Sequence, residues 1–165
     1  MKNDAHILEA DKSDMRILSD IIVNSYKTVA QKFDLTPENC PKHPSNCTVE
    51  WIQNDIKRGV IYYKLLHQEK VTGCVALEKA SSETCYLERL AVLPEYRRKG
   101  FGELLVNHVL EITRSFGVKS VEIGIISKQL ELKNWYKRIG FEERNTKEFP
   151  HLPFLVTFMA YPLLP

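Results

Sequence analysis

Arg97, Arg98 and Lys99 stand directly before Gly100-Phe101-Gly102, and the stretch that follows carries apolar residues at helical spacing. The chemistry this arrangement offers is anion binding. The first turn of a helix leaves its N–H groups without partners and carries the positive end of the macrodipole. Gly100 and Gly102 lack the Cβ atoms that would keep a ligand oxygen away from those amides. A basic, glycine-spaced turn there reads as a phosphate cradle, although the same residues taken alone also suit an ordinary glycine turn with solvated side chains. Glu103-Leu104 stands where a Walker A loop has Lys followed by Ser or Thr, and Leu105 stands where a dinucleotide fold has its third glycine. A nucleotide of another kind is expected.

The most unusual local sequence is Asn39-Cys40-Pro41-Lys42-His43-Pro44-Ser45-Asn46-Cys47. Cys40, His43 and Cys47 offer three zinc donors, but no fourth is nearby and the spacing fits no usual zinc module, so no metal is expected. A second histidine, His151, lies between Pro150 and Pro153 and reads first as a turn residue.

The 165 residues include 23 Lys+Arg and 21 Asp+Glu, with 44% apolar and 10% aromatic residues. That is the profile of a single domain over residues 1–165, able to bury roughly 68–70% of its extended surface. A net charge of +2 excludes the dense basic surface of a nucleic-acid binder. Four cysteines are few, and Cys74 and Cys85 fall in apolar, strand-like runs that suit small buried hydrophobes. The start MKNDAHILEADKSD reads as no signal peptide, and no run of 18 apolar residues occurs, so neither export nor a membrane is expected. A cytoplasmic location is the default.

Around the cradle the periodicity predicts the elements that must position it. Residues 6–10 suit a short strand. Ser13-Asp14 caps a helix with Met15, Leu18, Ile21, Ile22, Tyr26, Val29 and Phe33 at helical spacing. Residues 35–47 form a loop, and Thr48 caps a short helix with Trp51, Ile52 and Ile56 inward, ended by Gly59. Lys27, Lys32, Lys57 and Arg58 read as solvated helix faces. Residues 60–67, 71–80 and 84–92 then form an antiparallel meander. A helix over 102–116 and a buried strand over 120–126 make a parallel crossover. A helix over 129–139 and strands over 141–149 and 154–161 complete the order β-α-α-β-β-β-α-β-α-β-β, an α/β or α+β domain with a mixed sheet.

Arg97-x-x-Gly100-x-Gly102 behind Leu90-Ala91-Val92-x-Pro94, followed about 35 residues later by Tyr136-Lys137-Arg138-Ile139-Gly140-Phe141, resembles the GNAT superfamily of acetyl-CoA-dependent N-acetyltransferases. The resemblance covers residues 60–149. It implies a mostly antiparallel sheet of about seven strands flanked by about four helices, with splayed strands at the acetyl-CoA site. It also implies that Arg97, Arg98, Lys99, Gly100, Phe101 and Gly102 hold the pyrophosphate, and that a bulge leaves backbone groups near Leu90 and Val92 for the pantetheine arm. Gln129 stands where the family often has Asn and offers the same amide chemistry on a longer stem.

Amine acetylation needs a base for the ammonium proton, donors for the oxyanion and an acid for the departing thiolate. Tyr136 stands where the family places a tyrosine that serves the sulfur, and its phenol, ordinarily near pKa 10, can supply that proton; a core tyrosine beside Trp135 is the competing reading. Glu88 resembles the family's acidic base, often acting through water, against a simple ion pair with Arg89. The loop at 35–47 and the helices it joins are expected to wall the acceptor, with His43 and Tyr26 as contacts. The expectation is transfer from acetyl-CoA to a primary amine of a small molecule. A protein or peptide acceptor and a coenzyme A sensor without catalysis are the alternatives, and a homodimer is compatible with the resemblance.

Overall fold

The computed structural model describes residues 4–163. Its elements follow the predicted order: β1 (Ala5–Glu9), α1 (Met15–Lys32), α2 (Val49–Lys57), β2 (Ile61–His67), β3 (Lys70–Lys79), β4 (Thr84–Val92), α3 (Phe101–Arg114), β5 (Ser120–Ile126), α4 (Leu130–Ile139), β6 (Glu142–Lys147) and β7 (Val156–Pro162). Seven strands form one mixed sheet in the order β1-β2-β3-β4-β5-β7-β6. β1–β2, β2–β3, β5–β7 and β6–β7 pair antiparallel, and β4–β5 is parallel, as the crossover requires. The chain forms two compact units, one from the residues up to Glu78 with Leu87–Val109, the other from Lys79–Tyr86 with the chain from Leu110 on.

In the first unit the apolar stripe of α1 is buried as its spacing predicts. Met15, Leu18, Ile21 and Ile22 form one core with Ile52 of α2, Tyr62 of β2, Cys74 and Ala76 of β3 and Ala91 of β4. Leu18, Ile22 and Ile52 are wholly buried, each contributing roughly 1.5–3 kcal/mol of transfer free energy. Asp14 is the N-cap residue of α1, within the expected Ser13-Asp14 pair, but its side chain makes no capping bond to that helix. Asp11 caps the 3-10 turn over Lys12–Asp14 that precedes it, and Asp14 Oδ2 accepts from the Asp11 amide at 2.9 Å to close a capping box. Asp14 also meets Lys64 Nζ at 2.9 Å, so its carboxylate is spent before α1 begins.

In the second unit β4 pairs with β5 through Thr84–Tyr86 and Ser120–Glu122, and all seven residues of β5 register with β7. Val121, Ile123, Ile125 and Ile126 are buried, with Met159 and Ala160 opposite. β7 lies between β5 and β6, and every residue of β6 is exposed. The last two strands are shorter than predicted, because pairing ends at Lys147 with Val156 and the intervening Pro150 and Pro153 cannot donate to a ladder. All four cysteines are buried and free.

Candidate functional site

The turn ahead of α3 has the backbone that close approach to an anion requires. Pro94–Tyr96 form a 3-10 turn and Arg97 is extended. Arg98 then turns through φ +62° and Gly100 through φ +84°, and α3 starts at Phe101. The amide of Leu104 makes a helical bond to Gly100 O at 3.1 Å. Arg98 and Lys99 are exposed, with Lys99 Nζ 5.6 Å over the Tyr96 ring.

Two side chains of this turn have partners within the chain. Arg97 donates from Nη2 to Ser25 O at 2.6 Å, from Nη1 to Thr28 Oγ1 at 3.2 Å and from Nε to Val92 O at 3.1 Å. Its side chain braces the turn against α1 and against the end of β4. Phe101 is 1% exposed and packs on His67, ring centroids 5.0 Å apart, so only its backbone faces the turn.

Within β4, Arg89 adopts φ +50°, a conformation that costs a non-glycine residue of order 1–3 kcal/mol. The residue lies directly before Leu90, within a strand that runs unbroken from Thr84 to Val92. What holds it is a buried network. Arg89 Nη1 contacts Asp55 Oδ2 and donates to Tyr62 Oη at 2.5 Å, while Tyr62 donates to Asp55 Oδ2 at 2.5 Å. The Arg89 guanidinium also lies 5.6 Å from the centre of the Trp51 ring. Gly73 keeps β3 close, since a Cβ there would lie 2.8 Å from Ala91 O.

Glu88 therefore does not spend itself in an ion pair with Arg89, whose carboxylate partner is Asp55. Burial, first, and then the hydrogen bond and charge of Glu78 push the Glu88 carboxyl up to about 7, with Arg89 opposing. Arg58, read from sequence as a solvated face, contacts Glu78 through Nη1 and donates from Nη2 to Asp55 at 2.9 Å. Sequence reasoning missed Asp55, Arg58, Tyr62 and Glu78. A signal for Asp55 was present, since an acid between Ile52 and Ile56 sits on the inward face of α2.

The loop over residues 35–47 is a stiffened connection with satisfied polar groups. His43 is 7% exposed and caps a 3-10 turn at Pro44–Asn46 through Nδ1, at 2.7 Å from Ser45 Oγ and 3.3 Å from Ser45 N. Burial pulls its imidazole down to about 4, so the ring is uncharged at neutral pH. Asn46 Nδ2 donates to Cys40 O at 3.2 Å, and Ser19 Oγ to Cys47 O at 3.2 Å. The Tyr26 and His43 rings meet edge to face at 5.7 Å, which brings the two expected acceptor contacts together.

The second unit carries Tyr136 and Gln129. Tyr136 is 4% exposed on α4, its ring meeting Trp135 at 4.9 Å and Phe141 at 5.1 Å. Its carbonyl accepts from the amides of Gly140 at 3.2 Å and Phe141 at 3.0 Å. The Gly-Phe pair after the tyrosine is thus the stop that fixes α4 beneath it. Gln129 is the N-cap residue of α4 and makes no side-chain capping bond. His151 is exposed, 5.8 Å from Phe149.

Among the described residues no helix is long and apolar enough to cross a membrane, and no three His, Cys, Asp or Glu side chains are gathered as metal ligands. A family model described as the acetyltransferase (GNAT) family matches residues 28–141. An uncharacterized N-acetyltransferase of Chlorobaculum tepidum is 27% identical over 99 residues, 60% of this chain and 61% of that protein. The amino-acid acetyltransferase of Neisseria meningitidis is 26% identical over 102 residues, 61% of this chain. The match spans only 22% of that longer protein. The fold is that of the PaiA N-acetyltransferase from Thermoplasma acidophilum solved with coenzyme A, with a TM-score of 0.79 at 18% identity over 96% of this chain and 98% of that one.

Proposed function

The chain belongs to the acetyltransferase (GNAT) family, and from that premise we propose that it transfers the acetyl group of acetyl-CoA to a primary amine of a small molecule, by direct attack in a ternary complex. The observation that carries the reading is the turn of Arg98 and Gly100 through positive φ directly before α3. It fits a pyrophosphate through backbone amides and a helix N-terminus, with the charges of Arg98 and Lys99 beside it. Bound there, acetyl-CoA supplies the activated acyl group.

In this reading the chain's residues do the rest. Backbone groups freed at Leu90 and Val92 by the turn at Arg89 bind the pantetheine arm, and an amide there faces the developing oxyanion. Glu88, poised near neutral pH, takes the ammonium proton directly or through water, so that the amine nitrogen attacks as its lone pair is released. The carbon–nitrogen bond forms, the carbon–sulfur bond breaks, the Tyr136 hydroxyl protonates the thiolate, and the second proton, lost by the acylated nitrogen, returns the Tyr136 phenolate to phenol through water. Gln129 adds a contact to the cofactor. Tyr26, with the His43 ring against it, contributes to the acceptor wall.

A small acceptor is supported by the similarity to an amino-acid acetyltransferase. A carboxyl held near neutrality argues against a sensor, which needs the cradle and no base. Calorimetric titration with acetyl-CoA followed by thiol release over a panel of amino acids, polyamines and peptide N-termini tests the reading. The expected result is binding with turnover on a small amine. Binding without turnover on any amine would refute the enzyme, and turnover on peptides alone would refute the small acceptor.

A further inference from the structure

Arg89 uses only part of its guanidinium within the chain. Nη1 contacts Asp55 Oδ2 and donates to Tyr62 Oη at 2.5 Å, whereas Nη2 and Nε have no hydrogen-bond partner among the described residues. A guanidinium carries five N–H donors in a fixed fork, so one edge remains to hold a second group. The side chain is 19% exposed and lies 5.6 Å from the centre of the Trp51 ring. Trp51 and Asp55 both belong to α2, one of the two helices joined by the loop over residues 35–47. Arg89 therefore stands at the wall expected to meet the acceptor. Burial along β4 alternates up to Leu87, and then Glu88, Arg89 and Leu90 are all half-buried. With Arg89 at φ +50°, the strict alternation of a strand lapses where the base and the guanidinium are consecutive residues. The neighbouring ion pairs set Arg58 and Arg89 against Asp55 and Glu78, two charges of each sign. A molecule carrying both signs enters such a site without adding net charge.

We propose that Arg89 determines the acceptor and that the acceptor is an α-amino acid, its carboxylate held by the open edge of the guanidinium while its amine meets Glu88. The inference deepens the proposed reaction and rests on it. A planar charged fork suits a carboxylate, and the bonds formed are stronger than those between neutral groups. Asp55 and Tyr62 fix the Nη1 side and the Trp51 ring lies beside it, so the fork is oriented before the acceptor arrives. An α-amino acid carries its two groups on one carbon, which matches two consecutive strand residues. A polyamine or a peptide N-terminus has no carboxylate there and leaves the guanidinium edge unanswered.

The test compares thiol release from acetyl-CoA by the unaltered chain with a set of amino acids, their primary amides and the amines that lack the carboxylate. The expected result is a kcat/KM lower by about tenfold or more for each amide and amine than for its amino acid. Equal or faster turnover of the amides or amines would overturn the proposal and leave acetyl transfer standing. Arg89→Lys keeps a charge beside Asp55 and removes the fork, so the ratio of acid to amide collapses toward one. A merely structural role slows both acceptors alike, and an unchanged ratio in this variant would overturn the proposal too. Where Arg89→Lys fails to fold, the arginine Nε–Hε NMR signals of the unaltered chain with coenzyme A decide. The amino acid should move the Arg89 signal and its amide should not, and a signal unmoved by the amino acid is contrary to the proposal. If no amine at all is acetylated, the transfer reading falls, and the same NMR titration judges the guanidinium by itself.

Discussion

Asp55 of α2 and Arg89 of β4 form an ion pair between side chains only 7% and 19% exposed, and it secures the residue at which β4 turns through positive φ. The backbone strain of the strand is thus carried by a contact 34 residues away in sequence. Tyr62 bonds both members, so the three act as a unit.

Removing Asp55 leaves two guanidinium groups facing a buried carboxylate that is no longer there. Asp55→Ala is expected to lower stability by about 3–5 kcal/mol, the usual cost of orphaning a buried ion. Urea unfolding measures it. Acetyl-CoA affinity should fall as well, since Leu90 and Val92 follow the residue that is released, and unchanged affinity in the folded fraction would separate the positive-φ turn at Arg89 from cofactor binding.

Arg97 and its neighbours should respond differently. Arg97→Ala removes three donated bonds that tie the turn to α1 and β4, so it lowers the melting temperature and weakens acetyl-CoA binding together. Each bond contributes about 1 kcal/mol. Lys99→Ala leaves the melting temperature unchanged, weakens binding modestly and reduces its salt dependence. Melts and calorimetry at two ionic strengths distinguish brace from ligand.

Two groups give stability opposing pH dependences. The His43 imidazole takes a proton near 6.5 when unfolded and near 4 when folded. Its contribution is therefore complete above 6.5 and is lost as pH falls toward 4, by up to roughly 3 kcal/mol. Glu88 works the other way, because a carboxyl raised from 4.5 to about 7 stabilises the fold at low pH and loses that contribution as pH rises between the two values. Unfolding at pH 5 and pH 8 should show His43→Gln gaining relative stability at pH 5. Glu88→Gln should gain it at pH 8.

Gly140 ends α4 at φ +128°, and a Cβ there would lie 2.7 Å from Cε2 of Tyr161. Gly140→Ala meets both backbone strain and a clash, and should cost roughly 2–3 kcal/mol. Because the Gly140 amide bonds the Tyr136 carbonyl, turnover should decline more than cofactor affinity. Thermal melts with steady-state kinetics check the two effects.

The helices and strands were legible because their periods are local: the stripe from Met15 to Ile22 and the β-branched run from Ser120 to Ile126 declare their buried faces. The glycine turn before α3 was legible for the same reason, since its chemistry lies in six consecutive residues. The place of β7 between β5 and β6 was not, because strand pairing is a long-range choice that no hydrophobic period encodes. The partners of Arg97 were not legible, because a guanidinium beside glycines looks the same in sequence whether it faces a ligand or a carbonyl of its own chain. Arg58 and Glu78 were overlooked for a similar reason. A charged side chain declares its partner only when distant segments meet.

The four buried thiols make the chain a recorder of its own opening. Burial pushes Cys47 up to about 11 and Cys74 up to about 12, and it raises Cys40 and Cys85 as well. A thiolate-seeking reagent therefore finds little to attack in the closed state. Labelling has to wait for a local or global excursion, so its rate measures how often each region breathes. Cys85 belongs to one compact unit and Cys40, Cys47 and Cys74 to the other. Mass spectrometry of the labelled peptides would time the two units separately, with no engineered probe in either.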